Sequence, residues 1–261
     1  MKVMESDAAR NLTNLYQLGA HHNWLGVAGD SVSRWLTPRE LMAMETELDL
    51  NSTDFVPLNV KEPRLARECF MYCCHGDVLP GDYDGSETIS LKILQVNGEG
   101  DRCRVLWESG EPNRPPLEIS LHFTAHAAHS VGPGCVVYHC QPLNTLALAA
   151  LLGEHEDDFM KELLQGYAAI DNMLPDGIGI IPWAMKKPLR RGEKMNREMY
   201  QTMEGFMSQI REHISHQEAL VLRGEGIICA SRSERSVYSI IHAIERAATI
   251  RLSMYAAGAR C

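Results

Sequence analysis

No stretch of the 261-residue chain approaches the run of about 20 apolar residues that crosses a bilayer as a helix, so a helical membrane span is excluded. Basic charge is also short: 34 Asp and Glu stand against 25 Lys and Arg, a formal net charge of -9, and such a field repels phosphodiester backbones. No nucleic-acid partner and no membrane partner is expected. The one dense basic stretch, Lys186-Lys187-Pro188-Leu189-Arg190-Arg191, reads first as a solvated loop and only second as an anion-binding patch. The first residues, Met1-Lys2-Val3-Met4-Glu5-Ser6-Asp7, lack the apolar core of a secretory signal. The eight cysteines are therefore expected to be reduced thiols in the cytoplasm. Cys69, Cys73 and Cys74 lie close together but match no zinc-ribbon spacing, and they read as small apolar strand residues. Glycine-rich nucleotide loops, HExxH and GxSxG are all missing. Internal repeats and low-complexity tracts are missing too, which leaves a single domain over residues 1–261.

What remains is ordinary globular composition, 45% hydrophobic and 23% charged, enough for a substantial core. Residues 6–18 carry Leu12, Leu15, Tyr16 and Leu18 at helical spacing, with Gly19 as a stop. Thr37-Pro38-Arg39-Glu40 predicts a helix start with a capping box. Strands are expected at 70–74, 88–93, 104–107, 135–140, 178–183, 219–223 and 226–230. Helices are expected at 118–130, 144–152 with Asn144 as cap, 193–216 and 234–257. Helices distributed among strands predict an α/β layering. Several links are too short for a crossover, so part of the sheet must be antiparallel.

Four features carry candidate chemistry. His139 and Gln141, two apart at the end of a strand, project to one side; they read as a hydrogen-bonded edge pair or as two legs of a metal or substrate site. Glu118 follows Pro115-Pro116 at a helix start, where a capping role is the plain reading. His122, His126 and His129 fall on one helical stripe; without a carboxylate or thiolate to complete it, a structural imidazole pair outweighs a metal site. Gly224-Glu225-Gly226 puts a carboxylate at a strand-to-strand turn.

The segments at 118–126 (Glu-Ile-Ser-Leu-His-Phe-Thr-Ala-His), 136–140 (Val-Val-Tyr-His-Cys) and 175–183 (Pro-Asp-Gly-Ile-Gly-Ile-Ile-Pro-Trp), with the closing helix, resemble the class II aldolase/adducin family and within it the rhamnulose-1-phosphate aldolase branch. The resemblance covers the chain from about Phe70 onward, with a weaker N-terminal part. It implies a three-layer α/β/α sandwich around a central, mostly antiparallel sheet, assembled as a homotetramer. It also implies an aldehyde-lyase that cleaves a ketose or ketose phosphate by retro-aldol chemistry, the small sugar-like substrate being held near subunit contacts. Zinc on three histidines would stabilise an enediolate, and a glutamate would act as general acid/base. Residue by residue, Glu118 matches that glutamate and His139 the first zinc histidine. Gln141 and Glu225 stand where the other two histidines belong. An amide oxygen is a weaker zinc ligand than imidazole, and an anionic carboxylate lowers the positive charge at the metal, so a weakened zinc site on His139, Gln141 and Glu225 is expected.

The family's phosphate turn matches Gly29-Asp30-Ser31, and a second loop matches Cys74-His75-Gly76. Pro116-Leu117 replaces two hydroxyl-bearing residues. A carboxylate about 4 Å from a phosphate charge costs about 4 kcal/mol at an effective dielectric near 20, comparable with the ~4 kcal/mol behind a dissociation constant of about 1 mM. Asp30 therefore disfavours a phosphate ester, which a protonated His75 would offset in part. The alternative expectation is a catalytically degenerate, adducin-like scaffold with a binding or assembly role, because metal and phosphate positions change together.

Overall fold

A computed structural model describes residues 1–26, 30–75, 89–109, 119–152, 156–182 and 197–258. The chain starts with α1 (Asp7–His21), β1 (Ser31–Trp35), α2 (Pro38–Met44), β2 (Val56–Pro57), β3 (Cys69–His75), β4 (Ile89–Val96) and β5 (Arg102–Glu108). It continues through α3 (Ile119–Ala128), β6 (Val136–Cys140), α4 (Leu143–Leu152) and α5 (Glu156–Gly166). It ends with β7 (Gly179–Pro182), α6 (Arg197–Ile214), β8 (Ala219–Arg223), β9 (Gly226–Ser231) and α7 (Glu234–Ala256).

The strands form one nine-stranded sheet in the order β2-β5-β4-β3-β1-β6-β9-β8-β7. Every neighbouring pair is antiparallel except β7 and β8, which are parallel and are connected through α6, because a parallel pair needs a crossover. Alternation sorts the side chains. Val136, Tyr138 and Cys140 of β6 join a core with α1, α4, α5 and α7. Cys135 and Val137 point the other way into a core with α3 and α6, and Phe70 and Tyr72 of β3 meet Phe123 of α3. This is the three-layer α/β/α architecture, with a mostly antiparallel sheet.

Local chemistry sets the element ends. Thr37 and Glu40 form the expected capping box, with Pro38 in the first turn. Ser6 caps α1 by accepting from Ala9 N–H. The helix does not stop at Gly19: it runs to His21, and Gly19 is where α1 approaches β6. A Cβ there would lie 1.8 Å from the Tyr138 hydroxyl. Asn144 is not the cap of α4 either. Glu245 of α7 supplies that service, accepting from Asn144 N–H (3.1 Å) and Nδ2 (2.8 Å) and from Thr145 N–H (2.8 Å) and Oγ1 (2.7 Å). A carboxylate at a helix N-terminus also meets the positive end of the dipole.

Cys69 and Cys73 are buried and Cys74 is half-buried, all as free thiols; burial pushes the Cys69 thiol up to about 12, which keeps it unreactive. No helix among the described residues is long and apolar enough to cross a membrane. The basic stretch 186–191 lies outside the described residues.

Gly19→Ala gains about 1 kcal/mol of helix propensity against about 1–3 kcal/mol of overpacking on Tyr138. Net destabilisation is expected in urea unfolding. The Tyr138 hydroxyl is buried with no hydrogen-bond partner among the described residues, so Tyr138→Phe should cost little by itself. It should also relieve part of the Gly19→Ala penalty in a double-mutant cycle.

Candidate functional site at one end of the sheet

Register brings the sequence-predicted residues to one end of the sheet. Ser31, the first residue of β1, pairs with Cys74 near the end of β3 and with His139 near the end of β6. Cys140 pairs with Ile227, and the β8–β9 hairpin, closed at Leu222 and Gly226, presents Glu225 at its turn. Gly224 adopts a φ of 86° there, a left-handed conformation that glycine takes without penalty. The turn is closed by Glu225 N–H donating to Leu222 O at 2.9 Å. Asp30, Ser31, His139, Gln141 and Glu225 thus share one rim. His75 ends β3 on the same rim, and its side chain is outside the described atoms; Glu118, Gly29 and Gly76 lie outside the described residues.

The segment after α1 lines this rim. Gln141 N–H donates to Trp24 O at 2.6 Å, and the Gln141 side chain packs on Gly26, where a Cβ would sit 1.9 Å from Oε1. Gly226 makes similar room: its Cβ would be 2.9 Å from His139 Nε2. Gly26 does not stand out in the sequence and Gly226 reads there only as part of a strand-to-strand turn, since close approach of a distant side chain leaves no local signal. His139 is fully buried on a central strand. By alternation it faces the α3 side with Val137 and Ser31.

Asp30 is 5% exposed. Its Oδ2 accepts from Gly26 N–H, and its Oδ1 has no hydrogen-bond partner among the described residues. Burial pushes the Asp30 carboxyl up to about 7; the Gly26 N–H opposes this, and the nearby Glu225 charge adds to it. Removing water from a carboxylate and placing a second one beside it both favour the neutral acid.

This donor set does not fit zinc. Zinc sites gather imidazole and thiolate around one tetrahedral point. Among the described side chains the rim offers one imidazole, an amide resting on Gly26 and a carboxylate whose near neighbour is the buried Asp30 carboxyl. No group of three His, Cys, Asp or Glu side chains suited to a metal forms among the described residues. The His122, His126 and His129 stripe is hydrogen-bonded instead. His122 and His126 share the Ser33 hydroxyl, while His129 Nδ1 accepts from Val131 N–H at 3.4 Å.

Residues 82–252 match the model of the class II aldolase and adducin N-terminal domain. The chain belongs to the class II aldolase and adducin family. A rhamnulose-1-phosphate aldolase of Listeria monocytogenes (serotype 4b, strain F2365) is 24% identical over 250 residues, 95% of this chain and 84% of the relative. Another rhamnulose-1-phosphate aldolase, from Pectobacterium atrosepticum, is 30% identical over 113 residues, 42% of this chain and 41% of the relative. Among solved structures, a sugar-phosphate aldolase from Thermotoga maritima superposes with a TM-score of 0.68 at 18% identity, covering 97% of this chain and 96% of the other. An aldolase II superfamily protein from Pseudomonas syringae gives 0.56 at 14% identity, over 98% and 79%. These likenesses establish the class II aldolase fold for the whole described chain.

In its folded form this class II aldolase relative holds on Asp30 a proton that the unfolded chain releases near the ordinary carboxylate value of 3.8. Stability should therefore fall as pH rises from about 4 to about 7. Asp30→Asn, which cannot ionise, should flatten that slope in urea melts recorded across the same window.

Proposed function

We propose that the chain is an aldehyde-lyase of the class II aldolase type that cleaves a carbon–carbon bond in a small ketose lacking a phosphate group. The reading is supported by family membership together with the observation that carries it: Asp30, Ser31, His139, Gln141 and Glu225 meet on one rim of the sheet. A buried carboxyl in place of a phosphate-binding amide disfavours a phosphate dianion, and it accepts hydrogen bonds from sugar hydroxyls. Ser31 and the backbone around His75 and Gly76 would line the same ligand.

Glu118 is assigned the proton transfers. Its carboxylate takes the proton from the substrate hydroxyl as the carbon–carbon bond breaks and that oxygen becomes the aldehyde carbonyl. The same carboxyl returns the proton to the carbon that kept the electron pair, giving the ketone product and restoring the carboxylate. No step is assigned to zinc, because Gln141 and Glu225 do not complete a zinc set with His139. The reading carries a homotetramer, measurable by light scattering.

A second reading, a binding scaffold without turnover, is favoured by those two replacements. Incubating the full chain with rhamnulose and with rhamnulose 1-phosphate, and reducing released aldehyde with a coupled NADH-dependent reductase, separates the readings. Cleavage of the unphosphorylated ketose that falls about 10²–10⁴-fold in Glu118→Gln is the expected result. Preference for the phosphate ester overturns the substrate assignment, and no Glu118-dependent cleavage of either leaves the scaffold reading.

A further inference from the structure

The end of the sheet opposite the rim borders a cavity of about 330 Å³. It is enclosed by the exit of α3, the turn before β7, the turn between α6 and β8, and Arg232 just after β9. Ser231, the last residue of β9, pairs here with Val136, the first of β6. At about 3.3 Å per residue, β6 alone puts about 13 Å between this place and the rim.

Polar groups of opposite sign share the cavity without pairing. The Arg232 guanidinium is exposed and makes no hydrogen bond or ion pair among the described residues. Glu218 Oε1 accepts from Ser231 Oγ at 2.6 Å. The Glu218 charge acts on the His129 ring, yet among the described residues no ion pair joins Glu218 to His129 or to Arg232. His129 is 7% exposed; its Nδ1 accepts from Val131 N–H at 3.4 Å and lies 3.8 Å from Cys135 Sγ. Burial pushes this imidazole down and favours the neutral ring, and a neutral ring that accepts at Nδ1 carries its proton on Nε2. Nε2–H is thus a donor for the cavity. Asp176 and His216, both exposed, belong to the same lining.

The cavity also has an apolar wall and a fixed shape. Leu174 and Ile214, both buried, and Val131, 41% exposed, form that wall. The turn before β7 is held by Gln217 Nε2 donating to Asp176 O at 3.3 Å and by Gly177 N–H donating to Leu174 O at 2.9 Å. Gly177 takes a φ of 75° there, which glycine adopts without penalty. A preformed hollow with apolar walls and a few placed polar groups is how small-ligand sites are built.

We propose that this cavity binds a small zwitterion, an α-amino acid with an aliphatic side chain, whose carboxylate is taken by Arg232 and His129 Nε2–H and whose ammonium is taken by Glu218. Opposite charges that share a cavity and stay apart suit a ligand that carries both signs. A carboxylate alone would face Glu218 and Asp176, and an ammonium alone would face Arg232. The aliphatic side chain rests on Val131, Leu174 and Ile214.

The test is isothermal titration calorimetry of the full-length protein with leucine, with isoamylamine, which lacks the carboxylate, and with 4-methylpentanoate, which lacks the ammonium. Leucine should saturate with a dissociation constant of about 1 mM or tighter, and each analogue should bind about 10-fold more weakly or worse. Arg232→Gln, at an exposed position, should weaken leucine about 10-fold and isoamylamine not at all. Glu218→Gln, whose amide oxygen still accepts from Ser231, should weaken leucine by a similar factor and 4-methylpentanoate not at all. Absence of saturable leucine binding overturns the proposal. So does an analogue that matches leucine, or leucine binding that neither substitution changes. The readout is binding at the end of the sheet away from the rim, so it stands or falls independently of ketose cleavage.

Discussion

β6 runs between β1 and β9 with helices on both sides, so each of its five side chains is buried. Full burial of residues such as Val136 and Val137 contributes about 1.5–3 kcal/mol apiece, and the backbone of the strand is hydrogen-bonded along both edges. Such a strand cannot slip by one residue without exchanging its two apolar layers. Its end is therefore a fixed point, and the polar residues that follow from β6, β1 and the β8–β9 turn are placed relative to it. Glycine at positions 26 and 226 lets the Gln141 and His139 side chains come close to neighbouring backbone, so the rim is defined by packing before any ligand arrives.

Electrostatics then set the character of the rim. Asp30 and Glu225 raise the negative potential where the family resemblance implies neutral or cationic groups, and the buried Asp30 carboxyl answers by holding its proton near neutrality. The imidazoles are withdrawn from metal chemistry in a different way. His122 spends both ring nitrogens and His126 its Nε2 on serine hydroxyls beneath β1, and burial beside aromatic rings keeps both imidazoles neutral. On the proposed reading, a rim with two carboxyl groups backed by neutral imidazoles suits hydroxyl and carbonyl groups better than it suits phosphate.

Features written in a few consecutive residues were legible in the sequence. The capping box at Thr37 to Glu40, the alternation of β4 and the hairpin at Gly224 and Glu225 all depend on neighbours along the chain. β1 was not legible: Ser31-Val32-Ser33-Arg34-Trp35 alternates with serine on one side, because that side meets imidazoles of α3 in place of an apolar layer. Gly19 reads as a helix stop, yet its absent side chain serves the approach of Tyr138 from across the core. Asn144 reads as a cap, yet the capping oxygens come from Glu245, about 100 residues further along the chain. For the site, the resemblance marked Asp30, Ser31, His139, Gln141 and Glu225, which the fold gathers on one rim. The pairing of Ser33 with His126 is a contact between residues 93 apart and has no local signature.

The Glu245 carboxylate has a mechanical meaning. It fastens the first turn of α4 to the middle of α7, and that turn follows directly on Gln141 and Pro142. The rim is thereby anchored to α7 through a single side chain that grips four donors. Anything that slides α7 along the sheet drags the exit of the central strand with it, so the geometry of the rim reports on the seating of a helix near the far end of the polypeptide.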